Sequence, residues 1–419
     1  MGCLYSQQFY VSQLRGHNDF PGTLSQPLKT LQHAMVVARV YRSENPASPI
    51  TLYIDAGDYV LSESLLLTAE DASASSPLFI QGSNAGQTRI LGGYVIPSET
   101  MRRCCHKPSN IYRIDLIPVL GNMSNDMFYR YKNQVAPYHL YYDHKPMSVA
   151  GWPDQAWAKT GRIIDQGSIP RQGDTDKRGG VFRFDDKSVL ERMVQADNAW
   201  VYGFFRWNWY DQALPVADIY VDKKHVVLAK PHYYGIAQGR RFRFLNIRTE
   251  LDQHYEYFID YQKSQINFKL PAAPDKELAI STIAQPLLHI HGAAHIKISQ
   301  ITFEYSRGVG IDIENSEQII LDNVTVKNTG LQGIRVRGGK GVHIIRSTVS
   351  YTGSSSIDIS GGNRQLLVPS EHSVIANLLE HAGVLDIHGS AAVKLAGVGI
   401  RVQQNTIAHM PHTAIAFTG

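Results

Sequence analysis

Cysteine is nearly absent from this 419-residue chain: Cys3 and the adjacent Cys104 and Cys105 are all there is. Three thiols so placed offer neither a disulfide framework nor the spacing of a metal site. Charge is sparse as well. Asp, Glu, Lys and Arg make up 19% of the residues and leave a net charge of +4, which is too mild to imply a nucleic-acid partner. No basic run or RNA-binding signature adds to it. No apolar run reaches the length of a transmembrane helix. The first twenty residues lack the apolar region of a signal peptide, and the compartment stays open. A monomer without nucleic acid or a membrane span is expected. Met1-Gly2-Cys3-Leu4-Tyr5-Ser6 fits the myristoylation pattern, with an acylatable cysteine beside it. Phe9-Tyr10-Val11 already reads as a strand of the folded chain, so a chance match is the favoured reading.

What the chain has in quantity is a repeat. An apolar-x-apolar triplet recurs as Leu288-x-Ile290, Ile311-x-Ile313, Ile334-x-Val336, Ile357-x-Ile359, Val393-x-Leu395 and Ile415-x-Phe417, in steps of 23, 23, 23, 36 and 22 residues. A fixed period of this size marks a stacked-repeat fold. Each unit holds a second apolar run (Ile296-Lys-Ile298, Ile319-Ile-Leu321, Val342-His-Ile344, Val374-Ile375, Ile400-Arg-Val402) and a third (Ile301-Thr-Phe303, Val324-Thr-Val326, Ile407). Period-two alternation rich in Ile and Val means strands, and three short strands bury their apolar face only by stacking on the next unit. Gln300, Asn323, Ser347, Asn377 and Asn405 recur between the second and third runs, where a left-handed backbone is expected at a sharp bend. The pattern predicts an all-β, single-stranded right-handed parallel β-helix. A leucine-rich repeat would want a Leu-dominated motif, and a β-sandwich would want hairpin turns.

Ahead of the repeats, Leu28, Leu31, Ala34, Met35 and Ala38 share one helical face, with Ser25 as the expected N-cap before Pro27. This helix is expected to cap the open end of the solenoid. Ile50-Thr-Leu52-Tyr-Ile54, Tyr59-Val60-Leu61, Leu65-Leu66-Leu67, Leu78-Phe79-Ile80 and Arg89-Ile90-Leu91 read as the first coils. All five tryptophans fall between residues 152 and 209, in a stretch that breaks the period. The expected organisation is therefore a capping helix and first coils over 1–95, a β-rich aromatic insertion over 96–285, and repeats over 286–419 that stop on a strand.

Several stretches resemble the pectate-lyase-like superfamily of β-helix proteins, and within it the group around glycoside hydrolase family 141. They are PGTLSQPLKTLQHA (21–34), ITLYIDAGDYVLSESLLLT (50–68), KPMSVAGWPDQ (145–155), WVYGFFRWNW (200–209), ELDQHYEYFID (250–260), GNRQLLVPSEH (362–372) and MPHTAIAFTG (410–419). The resemblance implies a polysaccharide substrate and glycoside hydrolysis, and its members are usually exported. Two departures stand out. Relatives continue past the point matching Gly419 with further coils and an acidic motif, so a truncated relative is one reading. Where Gly-Gly-Asp is common, this chain has Gly361-Gly362-Asn363, and an amide cannot exchange a proton as a carboxylate does.

The residue between the two apolar members of each triplet points outward. That column reads His289, Asp312, Arg335, Asp358, Lys394, Ala416, and a parallel one reads His291, Glu314, Arg337, Ser360. Asp312 and Asp358 lie two strands apart, about 9–10 Å, just beyond the carboxylate spacing of an inverting glycosidase. They are the expected catalytic pair. Arg335, Lys394 and His372 are expected to bind substrate, with Asn363 and Arg364 from a loop read over 361–388, and Arg206 and Tyr210 from the aromatic stretch. The plainer alternative is a solvated face of alternating charge. No cofactor or metal is expected for hydrolysis. A uronate lyase is the alternative enzyme, using Arg335 or Lys394 as base and calcium held by Asp312, Glu314 and Asp358. A non-catalytic glycan-binding protein is the third reading.

Overall fold

The computed structural model describes residues 6–83, 87–104, 110–121, 136–196 and 198–418. The acylation motif and Cys105 lie outside them. The repeated triplets form one seven-stranded parallel sheet in the order Thr413–Phe417, Ala391–Gly397, Ile357–Gly361, Ile334–Arg337, Ile311–Glu314, Leu288–His291, Leu65–Leu67. Leu288, Ile311, Ile334, Ile357, Val393 and Ile415 lie in one continuous register. The second apolar runs belong to an eight-stranded parallel sheet that begins with Gln7–Val11, Ile50–Ile54 and Leu78–Gly82. The third runs join Gly57–Val60 and Thr88–Leu91 in a seven-stranded one. Successive strands of one coil thus lie in three different sheets, the arrangement of a parallel β-helix. Inside it, Leu288, Ile290, Ile311, Ile313, Ile334, Val336, Ile357 and Ile359 are all 1% exposed or less. Burial of such a side chain is worth roughly 1.5–3 kcal/mol, and the stack repeats it coil after coil.

The bend between the second and third sheets differs in detail from the expectation. Its left-handed residues are Gln300, Asn323, Arg346, Ala376 and Gln404, with φ between 49° and 59°. Ser347, Asn377 and Asn405 therefore come one residue later than the strained position, and they form a ladder instead. Asn405 Oδ1 accepts from both Asn377 nitrogens at 2.9 Å, and Asn377 Oδ1 accepts from the Ser347 N–H at 2.8 Å. Stacked amides satisfy the main chain of the coil beside them, which is why polar residues are tolerated inside a turn of the solenoid.

The long step also resolves differently. Residues 361–388 are not one loop: Ser373–Ile375 and Leu378–Glu380 continue the second and third sheets. The additional residues divide between 362–372, which includes a turn closed by an Asn363–Val368 bridge, and 381–390.

The N-terminal helix spans Leu31–Glu44 and is capped by Thr30, whose side chain accepts from the His33 N–H. Ser25 is not the cap. Leu28 is held in extended backbone by bonds to Tyr10 and Ser12, so the helix cannot begin until that pairing ends. Leu31, Ala34, Met35 and Ala38 face the same core as the solenoid strands, as a capping helix requires. Arg39 fixes it, with Nε and Nη2 at 2.7 and 2.9 Å from the two oxygens of buried Asp71.

The contact pattern divides the chain into two units, 1–94 with 281–419, and 95–280. Within the first, the chain leaves the third sheet after Thr88–Leu91 and re-enters to place Leu288 beside Leu65, Ile296 beside Leu78 and Thr302 beside Arg89. The register thus continues as if no residues intervened. The second unit is mostly antiparallel, with Ser148–Val149 and Glu256–Asp260 paired parallel. Arg241–Leu245, Trp200–Gly203, Gln212–Tyr220, His225–Leu228 and Val181–Arg183 form the centre of its eight-stranded sheet. Phe182, Phe205, Phe242 and Phe244 fill its core at 0% exposure.

Asp71→Ala should strip the cap of its charged hydrogen bonds and destabilise the first unit by about 2–3 kcal/mol. A fall in the denaturation midpoint, with the far-UV spectrum unchanged at low denaturant, is the expected result. An unchanged midpoint would show that packing alone holds the helix.

Candidate functional site

Alternation along each triplet strand sends the middle residue outward, and the parallel register lines these residues up. His289, Asp312, Arg335, Asp358, Lys394 and Ala416 do lie in one column. His291, Glu314, Arg337 and Ser360 form the second. The two columns exchange contacts. Arg335 meets Asp312 side-on, Nε to Oδ1 at 2.9 Å and Nη2 to Oδ2 at 2.7 Å, and Arg337 Nη2 adds a contact of 3.3 Å to Oδ2. Asp312 is 2% exposed, so two guanidinium groups take the place of its water. Its hydrogen bonds to Asp312 raise the Arg335 pKa above its ordinary value, against the opposing effect of burial.

Glu314 is held from three sides. Arg337 Nη2 lies at 3.3 Å, His291 Nδ1 at 3.4 Å and His289 Nε2 at 3.9 Å from its Oε2. Partial burial pushes the Glu314 carboxyl up, but the charge of Arg337 and the bonds from Arg337 and His291 outweigh it and leave the pKa below the usual range. Asp358 behaves in the opposite way. It makes no ion pair or side-chain hydrogen bond among the described residues, and burial raises its pKa despite the nearby charges of Lys394, Arg335 and Arg337. Two carboxyls pushed apart in this way, on one outward face, are the arrangement that lets one donate a proton while the other stays ionised. Asp312, Glu314 and Asp358 do not gather as oxygen ligands for calcium: Arg337 bridges the first two, and Asp358 stands two strands from Asp312.

Lys394 takes its expected place beside Asp358. His372 does not face the outer sheet at all. Ser373 pairs with His343, which aligns His372 with the inward Val342, and the imidazole is 1% exposed with Nδ1 accepting from the Val342 N–H at 3.1 Å. It occupies the interior stack that elsewhere holds Ile296, Ile319 and Val342. Gly361 makes room, since a Cβ there would meet His372 Nε2 at 2.5 Å. Aligning the second apolar runs by register, rather than by the spacing of the triplets, reveals this in the sequence. Asn363 and Arg364 are exposed on the 363–368 turn, where Asn363 Oδ1 accepts from Leu366 N at 3.0 Å.

In the insertion, the exposed aromatics include Trp207 and Trp209, at 41% and 47%. Their rings are 6.4 Å apart and within 6° of parallel. Arg206 lies over Trp207 at 5.4 Å, and Tyr210 sits edge-on to Trp209 and Tyr234. Arg206 and Tyr210 therefore buttress the tryptophans, which supply the open surface. A second concentration of acid went unseen in the sequence because its members are distant there. Asp154, Asp252 and Glu256 converge, with Asp154 and Glu256 lining a cleft together with Pro153, Arg243 and His254. Burial, with the charges of Asp154 and Asp252 adding to it, raises the Glu256 carboxyl to about 7. The two stretches that meet there, 145–155 and 250–260, are among those that carry the family resemblance.

Comparison with known proteins bears on the fold. The family described as "Right handed beta helix region" matches residues 286–419, so the solenoid is a right-handed β-helix. A solved structure titled "Glycoside hydrolase" superposes with a TM-score of 0.77 at 15% identity, covering 99% of this chain and 80% of that one. A complex of XylC with xylose covers 98% of this chain and 63% of the other, at 10% identity and a TM-score of 0.47. A lacto-N-biosidase from Eubacterium ramulus gives 12% identity and a TM-score of 0.32, with coverages of 96% and 56%. No curated protein matches by sequence. The first superposition extends the shared fold over nearly the whole chain.

Burial disfavours the charged imidazole and lowers the His372 pKa. The unfolded chain therefore takes up a proton below about pH 6.5 that the folded one resists. The contribution of this residue to stability is complete above that pH and declines as the pH falls through it. His372→Ile should flatten the fall in thermal midpoint between about pH 7 and pH 5. Equal slopes in the two proteins would place the acid sensitivity elsewhere.

Proposed function

We propose that this protein binds a polysaccharide on the outward face of the triplet sheet and cleaves it by hydrolysis, with Asp358 as the proton donor. The observation that carries the reading is the state of Asp358. It is a half-buried carboxyl without a hydrogen-bond partner among the described residues, and its pKa is raised by burial. A glycosidic oxygen leaves only if protonated, and a carboxyl whose pKa is raised by burial is the kind of group that supplies the proton. Lys394 beside it makes no ion pair or side-chain hydrogen bond among the described residues and suits hydroxyl or carboxylate groups of a sugar. Arg335 stands between Asp312 and Asp358 with its guanidinium fixed by the side-on pair. The likeness of the fold to a solved glycoside hydrolase is consistent with this reading.

Asp312, expected as the second member of a catalytic pair, takes a different part here. Both its oxygens are occupied by arginines and it is almost sealed from water. It orients Arg335 and Arg337. Loss of the two residues should then differ in kind. Asp358→Asn should reduce kcat by about 10²–10⁴-fold. Asp312→Asn should act chiefly through KM, by loosening Arg335. A kcat loss of equal size in Asp312→Asn, with the acid limb of the pH profile abolished, would instead make Asp312 the base.

The deciding experiment is the mass of products after incubating the full chain with pectic, xylan and alginate-type polysaccharides. Fragments that have gained water are expected, with a rate that falls as the pH rises through the raised pKa of Asp358. Fragments with an unsaturated end would replace hydrolysis by elimination at Arg335 or Lys394. Binding without fragments would leave a glycan-binding protein.

A further inference from the structure

The first two strands of the triplet repeat carry a feature that proton transfer at Asp358 does not use. His289 and His291 are two residues apart on one strand, so both imidazoles project from the same face. Glu314 lies directly across from His291 on the next strand. Two nitrogens and a carboxylate oxygen all lie within 4.8 Å of one another. His291 Nδ1 and His289 Nε2 stand 3.4 and 3.9 Å from the same oxygen, Glu314 Oε2.

These distances match a known polyhedron. Zinc binds imidazole nitrogen and carboxylate oxygen at about 2.0–2.2 Å, so neighbouring ligand atoms of a tetrahedral site are about 3.3–3.5 Å apart. One separation already falls there, and the other needs a few tenths of an ångström. A second observation is independent of the spacing. His289 Nε2 is shut off from solvent and has no hydrogen-bond partner, although it faces the carboxylate. A buried ring nitrogen without a partner is costly, and a metal ion would satisfy it. The imidazole rings are 5.8 Å apart and tilted at 62°.

We propose that His289, His291 and Glu314 form a binding site for a divalent transition cation of the zinc class, with the fourth position open to water. Two imidazoles and one carboxylate favour such an ion over calcium, which takes oxygen ligands. The site does not depend on the proposed hydrolysis. Arg337 is its natural competitor, because its Nη2 lies 3.3 Å from Glu314 Oε2 and the same distance from Asp312 Oδ2. When the cation binds, Arg337 keeps its contact with Asp312 and gives up the one with Glu314.

The test is calorimetric titration of the full chain, stripped with EDTA and then desalted, with zinc chloride in a buffer that does not chelate. One equivalent should bind with a Kd of about 10 µM or tighter. Histidine-to-alanine replacement at 291 (His291→Ala) and Glu314→Gln should each weaken binding by about tenfold or more with an unchanged circular dichroism spectrum, since each removes a ligand. Arg337→Ala should tighten it, a response that adventitious binding at surface histidines such as His388 and His412 would not give. Cobalt(II) in place of zinc should give the intense visible bands of a four-coordinate ion. Absence of binding in the wild type, or binding that survives both ligand replacements undiminished, overturns the proposal.

Discussion

Each coil of the solenoid is hydrogen-bonded to the coil before it and the coil after it, in register, along three sheets at once. A strand cannot slip by one residue without turning its apolar side chains outward on every face. This constraint determines what each position can carry. Inward residues form continuous columns and must be apolar, or else polar with partners supplied by the neighbouring coils, as in the Asn377–Asn405 ladder. Outward residues are released from that demand. Charge therefore collects on the outside of the triplet sheet, and side chains that are 23 residues apart in the chain become nearest neighbours.

Neighbourhood on this face is what gives each carboxyl its character. Asp312 meets Arg335 one strand on and Arg337 diagonally, and the three side chains satisfy one another. Asp358 comes one strand after Arg335, whose guanidinium is already turned toward Asp312, and it is left with long-range attraction only. The same residue type thus occurs twice in a single column with opposite surroundings. Removal of one arginine would alter both carboxyls together, because the cation that stabilises the first is the one withheld from the second.

Much of this was legible in the order of the amino acids. Period-two triplets at a fixed step placed the strands, the three sheets and the outward columns, because stacking translates sequence spacing directly into position. What escaped depended on other forces. The helix starts at Thr30 rather than near Ser25 because Leu28 is captured by a strand, which local propensity does not record. The bend places Arg346 and Ala376 in left-handed backbone while Ser347 and Asn377 turn to the ladder. His372 looked like a loop residue because the step of 36 residues concealed two strands. The meeting of Asp154, Asp252 and Glu256 depends on the parallel pairing of Ser148–Val149 with Glu256–Asp260, which no repeat announces.

The uninterrupted register across the insertion has a kinetic side. Arg89 and Thr302 are adjacent rungs of one ladder, yet the chain between them is longer than the whole of the triplet repeat. An unfolded segment of that length opposes closure through its entropy, whereas a folded one presents its two ends at a fixed separation. The aromatic core of residues 95–280 can assemble from its own strands. Folding of that unit would remove the entropic cost of closing Arg89 against Thr302 across an unfolded loop of that length.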